Sequence, residues 1–251
     1  MSKLPGRRGI GPRDDRDPQT EDMGGSGGTA LVTGSAGGLG TAVARRLVAD
    51  GWRVVAPVRG EPSQADLGVF AVQADVTDEA DVAGAVAVAT AEPDLPLRAV
   101  VNLVGGFASG GRVHETPVAD FEAQLRVNLR SAYVVTAACL PALMASGGGS
   151  VVCVSSRAAV RPFPGAAGYV TSKAALLSLV DTLAVEYRDD RVRVNAVLPG
   201  VIDTPSNRAG ADEAEVARWV PPEQIADVIA FLCSDASAPT SGAHVPVYGL
   251  S

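Results

Sequence analysis

From Thr29 onward the chain alternates short apolar runs with stretches whose apolar residues recur every three or four positions. The runs Ala30–Thr33, Arg53–Val58, Val69–Ala74, Ala99–Val104, Val151–Ser155 and Val192–Leu198 read as strands. Several are apolar throughout, as strands covered on both faces of a parallel sheet must be. Between them, Leu39, Val43 and Leu47 fall four residues apart with Gly51 as a stop, which predicts a helix. Leu176, Leu177, Val180, Leu183 and Ala184 mark one face of a longer helix after Tyr169, and Ile225, Val228, Ile229 and Leu232 one face of a last helix, about Pro222–Cys233. Alternation of this kind implies right-handed βαβ units and an α/β architecture, a doubly wound parallel sheet of the Rossmann type. No repeat or linker interrupts it, so residues 29–251 read as a single domain.

Residues 1–28 follow a different pattern. Leu4, Ile10 and Met23 are their only large apolar side chains. Lys3, Arg7, Arg8, Arg13 and Arg16 are balanced by Asp14, Asp15, Asp17, Glu21 and Asp22. Without an apolar core this is not a secretory signal, and a disordered tail is expected, with Met23 as an alternative start.

Over the whole chain, 47% hydrophobic and 20% charged residues are ordinary for a globular protein. The formal net charge of −7 argues against nucleic-acid or anionic-membrane partners. No apolar run of about 18 residues is visible, and no membrane partner is expected. Cys139, Cys153 and Cys233 are odd in number, far apart and without CxxC or Cys/His spacing, so no disulfide framework and no metal site is expected. A reducing cytoplasmic location fits this pattern.

The first strand runs into Thr33-Gly34-Ser35-Ala36-Gly37-Gly38-Leu39-Gly40 and then the first helix. Glycines at a strand-to-helix junction let the backbone turn sharply and approach a pyrophosphate seated on the helix N-terminus. Gly34, Ser35, Gly38, Leu39 and Gly40 are therefore candidate dinucleotide contacts. An acid after the second strand would hold the ribose hydroxyls of NAD, whereas a basic residue accommodates the extra phosphate of NADP. Here the strand ends Ala56-Pro57-Val58-Arg59 with no acid before Glu61. Arg59, helped by Ser35, is the candidate phosphate clamp, and NADP(H) is expected over NAD(H).

Tyr169-Val170-Thr171-Ser172-Lys173 opens the long helix, and residues at i and i+4 share a helix face. A cation beside a phenol favours the phenolate, so this pairing suits a proton donor or acceptor. Ser156 lies at the carboxyl end of the strand Val151–Ser155, where open α/β sheets collect ligands, and its hydroxyl can hold a reacting oxygen. A turn cap is the plainer reading of the same serine.

Taken together these motifs resemble the short-chain dehydrogenase/reductase family, in its single-domain, 3-oxoacyl-reductase-like branch. The resemblance spans about Thr29 to Ser251. It rests on Thr33-Gly34-xxx-Gly38-x-Gly40, Asp75-Val76, Asn102-Leu103-Val104-Gly105, Asn128, Ser156, Tyr169-xxx-Lys173 and Pro199-Gly200. It implies hydride transfer between NADP(H) and a carbonyl or secondary alcohol, with Tyr169 as general acid or base. Lys173 would bind the nicotinamide ribose and lower the Tyr169 pKa, and Ser156 would orient the carbonyl. Asn128, in a helix Phe121–Ala138, would anchor a water in a relay through Lys173. Asp75 and Val76 would meet the adenine, and Asn102 and Gly105 the cofactor side of their strand end. Pro199, Gly200, Ile202 and Thr204 would close over the nicotinamide. A homo-oligomer, dimer or tetramer, built on the helices carrying Asn128 and Tyr169 is also implied.

One motif departs from the family pattern: Leu103-Val104 stand where Asn-Ala is usual, which puts cofactor packing in doubt. The glycine-rich stretch Gly106–Gly111 suggests a mobile loop at the pocket mouth. Gly106, Phe107, Arg157, Phe163, Ile202 and Trp219 are the candidate substrate lining, Trp219 being equally readable as core. His114 and His244 have no partner pattern, Asp181 and Glu186 read as a solvated face, and Trp52 reads as packing under the second strand. Two rival functions are a non-catalytic NADP(H)-binding sensor or scaffold, and a nucleotide-sugar epimerase or dehydratase. The complete catalytic set disfavours the first, and the short stretch after Gly200 the second.

Overall fold

The computed structural model describes residues 27–60 and 67–250. Most of the expected tail, residues 1–26, lies outside the described residues, as does Glu61. Seven parallel strands form one sheet in the order β3-β2-β1-β4-β5-β6-β7. They are β1 (Thr29–Thr33), β2 (Arg53–Val58), β3 (Val69–Gln73), β4 (Leu97–Asn102), β5 (Gly149–Val154), β6 (Val192–Pro199) and β7 (His244–Val247). The order reverses between β1 and β4, which opens a crevice beyond their carboxyl ends. All five residues of β1 are buried, as a central parallel strand requires.

Helices cover both faces. On one side α1 (Gly38–Ala49) and α8 (Pro222–Cys233) seal Val43, Leu47, Trp52, Ile225 and Ile229 against the sheet. On the other, α2 (Glu79–Ala89), α4 (Ser131–Ala145) and α5 (Ala167–Glu186) bury Val82, Leu143, Leu176 and Val180. Two short helices, α6 (Pro205–Arg208) and α7 (Glu213–Val216), follow β6. Trp52 packs at 5% exposure in the first of these layers, as its place before the second strand suggested.

Several boundaries differ from the sequence reading for local reasons. The fourth strand stops at Asn102 because the Leu103 and Val104 N–H groups turn aside to the Thr33 hydroxyl, at 3.1 and 3.3 Å. The seventh strand was not foreseen; it is four residues long, contains Pro246 and pairs only with β6. The helix expected over Phe121–Ala138 is longer. It comprises α3 (Val118–Leu125), a π-helical stretch Arg126–Arg130, and α4. This segment, Val118–Ala145, is long and apolar enough by composition to cross a membrane, contrary to the expectation that no such run exists. Half of its most apolar 18-residue stretch is buried, where the segment packs against α2, α5 and the sheet.

Candidate active site

The carboxyl ends of β1, β4, β5 and β6 surround a cleft of about 790 Å³, a size usual for ligand pockets. Its floor at one end is the glycine turn after β1. Gly34 takes φ +70°, a conformation that favours glycine, and its carbonyl accepts the Gly37 N–H at 3.0 Å. A Cβ on Gly40 would stand 2.0 Å from the Gly34 carbonyl oxygen, so only glycine lets α1 start this close to the turn. A Cβ on Gly38 would strike the Thr204 methyl group at 2.7 Å, so the segment after β6 rests directly on the turn. Thr204 is itself buried and caps α6 by accepting the Asn207 N–H. Gly34, Gly37, Gly38, Leu39 and Gly40 all line the cleft beside Gly105, Pro199, Gly200 and Ile202. An exposed helix N-terminus approached over Gly34, Gly37 and Gly38 suits a pyrophosphate, and the cleft fits a dinucleotide on this observation.

Of the expected cofactor contacts, Ser35, Arg59, Asp75, Val76, Asn102 and Thr204 do not border the cleft. Ser35 is wholly buried and does not line the cleft. Asn102 is buried beneath the floor, where its amide donates to the Thr136 hydroxyl at 3.0 Å and lies 3.6 Å from the Cys153 sulfur. Its Oδ1 is buried without a hydrogen-bond partner. Leu103 takes the lining position instead. Val76 points into the core, leaving Asp75 beside it half exposed. Two bonds from Thr77, one from its N–H and one from its hydroxyl, hold the Asp75 carboxylate below its usual pKa, helped by the positive charge of Arg59. Arg59 is exposed at the end of β2.

At the other end of the cleft, Ser156, Tyr169 and Lys173 converge. Ser156 follows β5 and does serve as a cap, its oxygen accepting the Ala158 N–H at 3.1 Å. The same hydroxyl stands near the Tyr169 phenol and favours its ionised form. The neighbouring Ser155 hydroxyl donates to the Lys173 carbonyl at 2.8 Å and pins α5 to the strand end. Lys173 is only 5% exposed and its ammonium donates to the Val154 carbonyl at 2.9 Å. Burial pushes its pKa down to about 8. Burial also raises the Tyr169 phenol above its ordinary value, and the bond to Ser156 offsets only part of that. The expectation that Lys173 draws the phenol down is not met: the net shift is upward because desolvation outweighs the effect of Ser156, and Lys173 is not among its causes.

Asn128 lies in the π-helical stretch and is wholly buried. The Gly106 N–H donates to its Oδ1 at 2.9 Å, and its Nδ2 donates to the Gly106 carbonyl at 3.0 Å and to Gln124 at 3.3 Å. It is thus a clamp on the loop after β4, and π-helical turns recur at functional sites. The glycine-rich loop is also tied by the Gly110 N–H to the Gly165 carbonyl. Phe107 meets Tyr169 edge-on at 5.0 Å and Phe163 at 6.3 Å.

Of the six residues expected as substrate lining, Gly106, Phe107, Arg157, Phe163 and Ile202 border the cleft and Trp219 does not. Arg161 does so too and was missed. His244 Nε2 lies 2.8 Å from an Asp181 oxygen without hydrogen-bond geometry, and neither residue lines the cleft. A second hollow of about 870 Å³ at the opposite ends of the strands holds Arg98, Arg191 and Arg193. Arg193 is spent there on the Leu232, Ser234 and Ser237 carbonyls, and neither the glycine turn nor the Tyr169 group reaches it.

A doubly wound sheet with a glycine turn and a Ser–Tyr–Lys group at its carboxyl edge defines a nicotinamide-dependent oxidoreductase. The profile of a family described as enoyl-(acyl carrier protein) reductase matches residues 34–249. A 2-(R)-hydroxypropyl-CoM dehydrogenase from Xanthobacter autotrophicus is 35% identical over 242 residues, covering 88% of this chain and 96% of that protein. The 3-oxoacyl-[acyl-carrier-protein] reductase MabA of Mycobacterium bovis is 31% identical over 229 residues, covering 88% and 91%. A short-chain type dehydrogenase/reductase from Mycobacterium ulcerans superimposes with a TM-score of 0.85 at 28% identity, over 91% of this chain and 90% of the other. The chain belongs to the short-chain dehydrogenase/reductase family and is an NAD(P)-dependent oxidoreductase acting on small molecules.

Proposed function

We propose that this protein is an NADP(H)-dependent carbonyl reductase, equally able to run as the alcohol dehydrogenase, with Tyr169 as the proton donor or acceptor. The observation that carries this reading is the meeting of Tyr169 and Ser156 in the same cleft as the glycine turn. The nicotinamide supplies or accepts the hydride when bound. The raised pKa keeps the Tyr169 phenol protonated at neutral pH, the form a general acid needs to give a proton to a carbonyl oxygen. The Ser156 hydroxyl, already oriented by Ala158, holds that oxygen in place. Lys173, beside Gly105, is placed to hold a ribose hydroxyl. Arg59 at the end of β2 supports NADP(H) over NAD(H), with Asp75 near it for the adenine and Gly105 on the cleft for the nicotinamide, whereas Val76 is turned into the core. An open apolar groove bordered by Leu125, Leu129, Tyr133 and Leu179 supports assembly of copies through these helices.

The test is nicotinamide absorbance over time with NADPH or NADH and a panel of ketones, wild type beside Tyr169→Phe and Arg59→Ala. Turnover is expected to fall at least about a hundredfold in Tyr169→Phe, the usual worth of general acid catalysis. The preference for NADPH is expected to shrink in Arg59→Ala. Full turnover in Tyr169→Phe would remove the acid from the scheme, and NADPH binding without turnover of any ketone would favour a sensor.

A further inference from the structure

We propose that the substrate half of the cleft is built for a carbonyl compound that also carries an oxyanion, gripped by Arg157 and Arg161. This rests on the reductase reading above and narrows it to a substrate class.

The charge of the lining carries the argument. Among the described residues, Arg157, Arg161 and Lys173 are the charged ones that border the cleft, and no Asp or Glu does. The chain as a whole has 28 acidic against 21 basic residues, so the cleft has the opposite sign to the protein. Lys173 is already committed to the Val154 carbonyl. Arg157 and Arg161 have no carboxylate partner among the described residues, whereas Arg46 and Arg208 are paired with Asp50 and Asp203. Two like charges brought to one rim without a counter-ion leave their donors for a ligand.

Arg157 is also held ready. It is half-buried, and its guanidinium lies over the Tyr248 ring at 5.4 Å. The ring contact steadies the guanidinium, whose planar fork of N–H donors suits a bidentate oxyanion. The Arg161 N–H donates to the Arg157 carbonyl at 2.9 Å, so one closed turn directly after Ser156 carries both side chains. The cofactor phosphates have their own seat: the glycine turn follows β1, which β4 separates from β5 and this turn. Phe107 and Phe163 form an apolar wall beside Tyr169. A substrate with its carbonyl at Ser156 and Tyr169, an apolar or aryl spacer on the phenylalanines and a carboxylate or phosphate at the arginines fits this arrangement.

The experiment compares 4-acetylbenzoate, 4-acetylphenyl phosphate and the uncharged 4-acetylbenzamide as substrates of the full chain with NADPH. The kcat/KM ratio of anionic over neutral ketone is expected to exceed about tenfold, and to fall about tenfold in Arg157→Gln and in Arg161→Gln, mainly through KM. Arg161→Lys is expected to keep part of it. The two anionic arms show whether carboxylate or phosphate is preferred. A ratio near one in the wild type, or equal losses on all three ketones, would overturn the proposal. So would weaker NADPH affinity in the variants with the ratio unchanged, because the arginines would then serve the cofactor. Calorimetric titration of benzoate into the NADP-saturated protein separates the two readings. Benzoate binding that Arg157→Gln abolishes, with no ketone turned over, keeps the oxyanion subsite and sinks the reductase. No benzoate binding sinks the subsite whatever the turnover.

Discussion

Asn128 Oδ1 and Lys173 Nζ face each other across the side chain that Gly105 lacks. A Cβ placed on Gly105 would stand 2.8 Å from the first and 3.0 Å from the second. Asn128 spends one lone pair of Oδ1 on the Gly106 N–H, and Lys173 one proton on the Val154 carbonyl. Each retains hydrogen-bonding capacity toward that small space, which is where a relay through Lys173 would have to run.

Gly105→Ala follows as the sharpest probe of this space. The added methyl group must displace Asn128, Lys173 or the strand end, and overpacking of this kind costs about 1–3 kcal/mol. The expected result is a chain that still folds, with kcat reduced at least about tenfold. Unchanged kcat with an unchanged melting temperature would show that the gap serves neither residue.

Lys173 should also leave a signature in stability. Its folded pKa, about 8, lies below the ordinary 10.5. Between those values the unfolded chain binds more protons than the folded one, so stability rises with pH. Below pH 8 both states are protonated and burial of the ammonium costs its full amount, roughly 3 kcal/mol for a shift of this size. In Lys173→Met that dependence vanishes. Wild-type stability relative to the variant should therefore climb by roughly 3 kcal/mol from pH 7.5 to 10.5, read from urea unfolding without cofactor. The Val154 carbonyl loses its partner in the variant at every pH, and the Tyr169 titration is common to both proteins, so neither alters the slope. A constant difference across the range would mean that Lys173 is not desolvated.

What could be read from the chain alone divides along physical lines. The glycine turn and the Tyr169–Lys173 pair depend on spacing within a few residues, and spacing is what a sequence displays. The continuous apolar strands betrayed a doubly covered sheet for the same reason. Helix α2 was not visible because Glu79–Ala89 is mostly Ala and Val with no polar face, so its period disappears. Strand β7 was hidden by Pro246 and by its length, and it exists because β6 offers it an edge. The π-helical turn at Asn128, the burial of Ser35 and Asn102, and the arrival of Arg161 at the rim are products of packing between distant segments. No local pattern announces them. The upward shift of the Tyr169 phenol belongs here as well, since helical spacing gives the position of Lys173 but not the depth of the phenol.

The groove on the helices carrying Asn128 and Tyr169 yields an assembly test. Tyr133 is 58% exposed and borders it with Leu125, Leu129, Ala175 and Leu179. Tyr133→Glu places a charge there at little cost to the single chain, within about 0.5 kcal/mol for an exposed site. The mass from light scattering is expected to drop to that of a smaller assembly with the circular dichroism spectrum unchanged. A mass that does not move would place the contact between copies elsewhere.

The glycine turn itself separates folding from cofactor binding in two substitutions. Gly40→Ala would put a methyl carbon 2.0 Å from the Gly34 carbonyl oxygen, in backbone that cannot move without breaking the start of α1. Destabilisation of about 3 kcal/mol or more is expected, seen as a lower urea midpoint even without cofactor. Gly37 is different. Its φ of −77° and ψ of 167° suit any residue, and the nearest atom to an added Cβ is the Gly34 oxygen at an ordinary 3.4 Å. Gly37→Ala should fold like the wild type. Yet Gly37 borders the cleft at the N-terminus of α1, where a pyrophosphate must approach the backbone closely. Its affinity for NADPH, measured by fluorescence titration, should fall about tenfold or more, since a lost charge-assisted bond to backbone N–H is worth roughly 1.5–3 kcal/mol. Equal affinity in wild type and Gly37→Ala would mean that the phosphates sit away from this turn, and the assignment of Gly34, Gly38, Leu39 and Gly40 as cofactor contacts would fall with it.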